Sequence, residues 1–174
     1  MERVPPRRLT LHLLRHAKSS WDPPQLEDGD RPLAPRGERA ARKLARHLAA
    51  LRVAPDLVLC SSALRARQTL QLIGPALPRT ADVLIEDGLY GAAGRDLLDR
   101  LRRVGAGAVE VMLVGHNPGI HDLALTLGGN TAPESMIARF PTGALVSLRP
   151  RATAWEQLQP GSAEITRIVL PRDL

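Results

Sequence analysis

Leu9-Thr10-Leu11-His12-Leu13-Leu14-Arg15-His16-Ala17 is the stretch on which the fold turns. It is almost continuously apolar, as a strand covered on both faces of a sheet must be. It then stops on two polar, chemically able residues, Arg15 and His16. In open parallel sheets, ligands gather in the crevice outside the carboxyl ends of the strands. A buried strand that delivers an Arg-His pair to that edge is therefore a site signal.

Two further stretches share this character. Asp56 to Ser62 is a second buried strand that closes on Ser61 and Ser62. Val109 to His116 is a third, running into Gly115-His116-Asn117-Pro118-Gly119. Val83 to Ile85 reads as a weaker strand. Helical spacing of apolar residues lies between them. Pro35 suits a first helical turn, and Ala40, Ala41, Leu44, Ala45, Leu48 and Leu51 then mark one face of a helix over Arg36 to Arg52. Helices follow over Ala63 to Leu77, Asp96 to Val104 and Ile120 to Leu127, the first with the preceding serines as its caps. Ala144 to Arg149 and Ile165 to Leu170 read as a closing hairpin. Strands alternating with helices predict a three-layer α/β/α sandwich around a mostly parallel sheet. Lys18 to Ala34 and Gly128 to Gly143 read as two long loops, and loops of that length are often functional.

The 174 residues form one expected domain over 1–174, with a polar lead-in over 1–8 read as flexible. Apolar residues make up 44% and aromatics only 2%, so an aliphatic core is expected. One cysteine, Cys60, allows no internal disulfide. No apolar run approaches the ~18 to 20 residues of a membrane span, and the apolar segment near the N-terminus makes a poor signal peptide. A cytoplasmic location is expected, with no membrane partner. The net charge of +6 comes almost entirely from arginine. The arginines are scattered rather than gathered in a tract, so solvated helix faces are expected and nucleic acid is not the expected partner. A positive field favours an anionic, phosphorylated substrate.

Arg15-His16, Arg65 and His116 all lie at or just beyond the ends of the three buried strands. Two histidines and two arginines around one pocket suit a phosphoryl group. Arginine supplies a permanent charge and a planar fork matched to phosphate oxygens. Histidine can attack, donate a proton or accept a hydrogen bond near neutral pH.

At this point the sequence resembles a known family. Leu13-Leu14-Arg15-His16-Ala17 resembles the Arg-His-Gly signature of the histidine phosphatase (phosphoglycerate mutase-like) superfamily. Ser61-Ser62-Ala63-Leu64-Arg65-Ala66-Arg67-Gln68-Thr69 resembles its second motif and Val114 to Gly119 its third. Arg31-Pro32-Leu33 with Gly37 resembles the segment leading into its first helix. The match in order and spacing runs from Leu9 to Leu127. The short chain, with no large insert after the second strand, is similar to the small SixA-type phosphohistidine phosphatases.

The resemblance implies roles. His16 would be the nucleophile, forming a transient phosphohistidine. Arg15, Arg65 and His116 would hold the phosphoryl oxygens and stabilise transition-state charge. No cofactor and no metal are implied. Phosphate or another oxyanion would fit the site, and a protein bearing phosphohistidine is the implied partner. Arg31 is a candidate for a phosphate contact or for a loop anchor, and Asn117 is a further candidate contact. Two departures stand out. Ala17 replaces the usual glycine, and the family's general acid has no obvious counterpart. Asp87 and Glu86 are the candidates, with Asp87 favoured by its distance from Tyr90. A protonated phosphoimidazole departs more readily than an alkoxide, so a missing acid favours a P–N substrate.

Other residues invite other chemistry. His12 lies on the same strand face as His16 but too far away to share a metal, and it reads as structural. His47 reads as a helix-surface residue and His121 as structural. Cys60 suggests a cysteine phosphatase, but that loop needs five residues between Cys and Arg, and four separate Cys60 from Arg65. Gly115 to Gly119 lacks the Lys-Ser/Thr of a nucleotide P-loop. Two alternatives to the phosphohistidine reading remain: a small-molecule phosphomonoesterase of the same fold, and a catalytically weak phosphate- or nucleic-acid-binding module.

Overall fold

The computed structural model describes residues 8–174. The lead-in over 1–7 lies outside the described residues, and with it the expectation of flexibility there. Six strands form one sheet: β1 (Thr10–Arg15), β2 (Leu57–Ser61), β3 (Asp82–Glu86), β4 (Glu110–Gly115), β5 (Leu145–Pro150) and β6 (Ala163–Val169). Their order is β3-β2-β4-β1-β5-β6. The pairs β3–β2, β2–β4 and β4–β1 are parallel. β5 pairs antiparallel with β1 and with β6, so the expected hairpin closes one edge.

The helices divide between the two faces. α1 (Pro35–Ala50) and α2 (Leu64–Ile73) cover one. Leu44, Leu48, Ala66 and Ile73 pack there on Leu14, Val58, Cys60 and Val114. α3 (Gly94–Arg102) and α4 (Gly119–Gly128) cover the other. Leu97, Leu101, Leu123 and Leu127 pack there on Leu11, Leu13 and Leu113. The three-layer sandwich is as expected.

Two expectations change. The serines do not cap α2: its N-cap is Ala63, without a side-chain cap. Ser61 Oγ instead accepts Ala63 N–H at 3.3 Å from inside the protein. The second long loop is also partly ordered, holding α5 (Glu134–Ala138). Met136 and Phe140 anchor it in the core, a burial that no helical periodicity in so short a segment announces.

The first loop is drawn against α1 by a close backbone approach. At Gly37, an added Cβ would collide with the Lys18 carbonyl. The Ala34 N–H also donates to that carbonyl at 2.8 Å. Glycine is required here for space, which accounts for its place in the motif.

Candidate active site

Strand alternation sets the directions of the first motif. Side chains at i and i+2 share a face of a strand. Leu11, Leu13 and Arg15 point to the α3/α4 face; His12, Leu14 and His16 point to the α1/α2 face. Arg15 Nη1 accordingly donates to the Phe140 carbonyl, 2.8 Å away across the α3/α4 layer. His16 meets Arg65 at the start of α2. One dipeptide thus reaches around both sides of the sheet edge.

The second motif locks onto the first. Thr69 donates its hydroxyl to the Arg65 carbonyl at 2.7 Å and accepts the Ala17 N–H at 3.0 Å. Gln68 Oε1 accepts the Leu33 N–H at 2.7 Å. The Gln-Thr pair therefore aligns α2, the end of β1 and the loop before α1.

The protonation of His16 follows from its partners. A carbonyl only accepts, so the 2.7 Å contact between Nδ1 and the Ala17 oxygen places the proton on Nδ1. Nε2 then carries a lone pair, which accepts Arg65 Nε–H at 3.3 Å. The ring is only 6% exposed. Burial above all, then His116 and the two guanidinium groups, pushes its pKa down to about 3. The bond to Ala17 opposes this. The guanidinium groups lower it too, but burial exceeds their effect.

His116 stands beside it, ring centroids 5.0 Å apart. Its pKa is pushed down to about 4, first by burial and then by Arg65. Its Nε2 lies 2.7 Å from Ser61 Oγ. When the Ser61 hydroxyl donates to Nε2, the His116 proton sits on Nδ1, the ring nitrogen that has no partner.

Three buried side-chain atoms among the described residues have no hydrogen-bond partner: Arg15 Nε, His116 Nδ1 and Asn117 Oδ1. All three belong to predicted site residues. Leaving such atoms unpaired costs about 1–3 kcal/mol each, and tolerated costs of this kind gather where a ligand completes the bonding. Asn117 Nδ2 and Arg15 Nη1 share the Phe140 carbonyl, so the α5 segment braces both.

The carboxylate in this site is Asp28, which sequence reasoning missed. Arg65 donates from Nη1 to the Asp28 carbonyl at 2.6 Å and from Nη2 to its carboxylate at 3.0 Å. Tyr90 donates its hydroxyl to the same carboxylate oxygen at 2.6 Å, and Arg31 Nη1 binds the other at 3.0 Å. The Tyr90 bond chiefly, with those from Arg31 and Arg65, holds Asp28 well below the usual carboxylate range. Arg31 also donates to the Ser20 carbonyl and to Ser19 Oγ, and lies over the Trp21 ring. Its donors are committed to the loop, which favours the anchor over the phosphate contact.

Among the described residues, neither candidate acid bonds a histidine of the site. Arg100 grips the Glu86 carboxylate at 2.6 and 2.8 Å. Asp87 is exposed, and its carboxylate has no hydrogen bond among the described residues. Neither is brought onto the histidine pair by these contacts. Cys60 is fully buried with its thiol pushed up to about 12 by that burial, unfit as a nucleophile. His12 is held between Ser147 and Glu110, and His121 bonds the Met136 carbonyl, both structural as expected.

Comparison with known proteins agrees with this geometry. Residues 11–92 match the model of the histidine phosphatase superfamily (branch 1). An uncharacterized protein of Mycobacterium tuberculosis (strain H37Rv) is 38% identical over 164 residues, covering 91% of this chain and all of the relative. The phosphohistidine phosphatase SixA of Escherichia coli K12 is 30% identical over 80% of this chain and 84% of its own. A solved structure of a candidate phosphohistidine phosphatase SixA from Nakamurella multipartitia superposes with a TM-score of 0.82. It is 32% identical over 94% of this chain and 96% of that one. The chain belongs to the histidine phosphatase superfamily, among its SixA-type members, and is a phosphatase.

Proposed function

We propose that this phosphatase removes a phosphoryl group from a phosphohistidine on a partner protein, with His16 as nucleophile. One observation carries the phosphoryl reading. A neutral imidazole whose Nε2 lone pair accepts only a long 3.3 Å bond from Arg65 stands among the three unpartnered buried atoms of Arg15, His116 and Asn117. In the reaction, His16 Nε2 bonds to phosphorus in line as the bond to the leaving imidazole breaks. Arg15, Arg65 and the Nδ1–H of His116 bind the phosphoryl oxygens and offset the charge that builds on them. Water then cleaves the new P–N bond, releasing orthophosphate and restoring His16.

The P–N preference has its own support. Asp28, the carboxylate bound to Arg65, is held ionised and cannot donate a proton. Glu86 is gripped by Arg100. A phosphoimidazole that arrives protonated needs no acid, whereas an alkyl ester does. Exposed apolar side chains around the site suit a protein surface: Trp21 is 69% and Tyr90 42% exposed. A cytoplasmic setting accords with the buried free Cys60, and no helix among the described residues is long and apolar enough to cross a membrane.

The test pairs a synthetic phosphohistidine peptide with p-nitrophenyl phosphate, for the wild type and His16→Ala. The expected result is faster turnover of the peptide, an acid-labile phosphoryl label on His16 after rapid quenching, and loss of both in the variant. Full activity in His16→Ala would remove the nucleophile assignment. A strong preference for the ester would make the protein a phosphomonoesterase.

A further inference from the structure

A cleft of about 1030 Å³ opens beside the histidine pocket and shares Arg15 and Asn117 with it. That is as large as a pocket for a whole drug-sized ligand, far more than one phosphoryl group needs. Among the described residues, five cationic ones line it, Arg15, Lys18, Arg36, Arg139 and Arg172, and no Asp or Glu does. Its apolar floor includes Phe140 and Leu170. Resting on the phosphohistidine reading above, we infer that this cleft docks an acidic segment of the partner protein next to its phosphohistidine.

The cations fall into two kinds. Arg15 and Arg65, in the histidine pocket, are held by hydrogen bonds to Phe140 and Asp28 and lie near enough for the charge of Arg65 to act on Arg15. Arg36, Arg139 and Arg172 are exposed and come from separate segments: the first turn of α1, the end of α5 and the turn after β6. Arg36 and Arg139 form no ion pair among the described residues, and Arg172 has only its neighbour Asp173 at 3.6 Å. Cations spread along a rim on flexible stems match several carboxylates at intervals along a chain. They do not form the rigid convergent fork that a second phosphate would demand. Such rim charges act on encounter and orientation, and their effect is screened by salt.

The test uses two synthetic phosphohistidine peptides of equal length, one flanked by Asp and Glu and one by Gln. The wild type is compared with Arg36→Gln/Arg139→Gln/Arg172→Gln and with the triple Glu variant. The expected result at low salt is a kcat/KM for the acidic peptide about tenfold above that for the neutral one, carried by KM, from roughly three rim charge pairs. The advantage shrinks in high salt, disappears in the Gln variant and reverses in the Glu variant. Turnover of the neutral peptide stays at the wild-type level in the Gln variant, which shows that the fold is intact. Equal kcat/KM for the two peptides in the wild type, with His16-dependent turnover of both, overturns the docking inference and leaves the phosphohistidine reading standing. Failure to hydrolyse either peptide, with ester turnover intact, overturns both. A DNA duplex that binds through the same three arginines, where the acidic peptide does not compete, reassigns the cleft to nucleic acid.

Discussion

Asp28 decides how the arginine of the pocket is presented. Its carboxylate is about half exposed, yet it bonds Arg65, Arg31 and Tyr90. It thereby orients Arg65, and it also occupies a guanidinium edge that the proposed phosphoryl contact would use. An incoming anion meets a fixed negative charge. Asp28→Asn keeps the size and, through its amide oxygen, an acceptor for Tyr90 and Arg65; it gives up the acceptor for Arg31 and removes that charge. Inhibition by orthophosphate is then expected to tighten by about threefold to tenfold, the lower end reflecting solvent screening of the carboxylate. Weaker inhibition in the variant would mean that ordering Arg65 outweighs repelling the anion. Asp28 was not legible in the sequence because it stands among Glu27 and Asp30, with nothing local to set it apart. Only the path of the loop brings it to Arg65.

At the level of elements, the site depends on α2 being registered against the end of β1. Thr69 holds that register through one hydroxyl that donates to Arg65 and accepts from Ala17. Val has nearly the same shape but can do neither. Thr69→Val is expected to cost about 1–3 kcal/mol, because a buried N–H is left unpaired. At roughly 2–4 °C per kcal/mol for a chain of this size, the melting temperature falls by several degrees. kcat on the phosphohistidine peptide falls with it as His16 and Arg65 lose alignment. Thr69→Ser restores most of both. A variant with wild-type melting and kcat would show that packing alone sets the register. The Gln-Thr pair was legible as a motif, but its work was not. Sequence order says nothing about which backbone N–H a side chain 52 positions away will bond.

Across the whole molecule, the site makes the fold sensitive to acid. His16 and His116 titrate at about 3 and 4 when folded, against 6.5 for a free imidazole. Below pH 6.5 the unfolded chain binds protons that the folded chain refuses. The stability contributed by keeping both rings neutral is therefore complete above 6.5. It is lost as pH falls through 6.5 toward 4 and 3. Asp28 acts in the same direction at lower pH still, because its folded pKa lies below the ordinary carboxylate value. The urea midpoint, followed through the buried Trp155, is expected to fall between about pH 7 and pH 4.5. The fall should be smaller in His16→Asn/His116→Asn. An acid-insensitive midpoint would mean that these imidazoles are not held neutral. Trp155 is 1% exposed and Trp21 69%, so the change in fluorescence on unfolding reports mainly on Trp155.

The sequence by itself determined the layered architecture and singled out Arg15, His16, Arg65 and His116, which the structure gathers at one edge of the sheet. Burial on both faces forces a central parallel strand to be apolar along its length, so polar residues stand out where it ends. Arg15, His16 and His116 are visible for that reason, and Arg65 for its place in the first turn of the helix after β2. Only the tertiary structure decided which carboxylate bonds the arginines, which serine bonds His116, and which of the scattered arginines share a cleft. Those pairings join residues far apart in the chain through loops, where no periodicity marks the direction of a side chain. Glu86 and Asp28 are both carboxylates in polar stretches. One is captured by Arg100 and the other by Arg65, because of the way the chain returns.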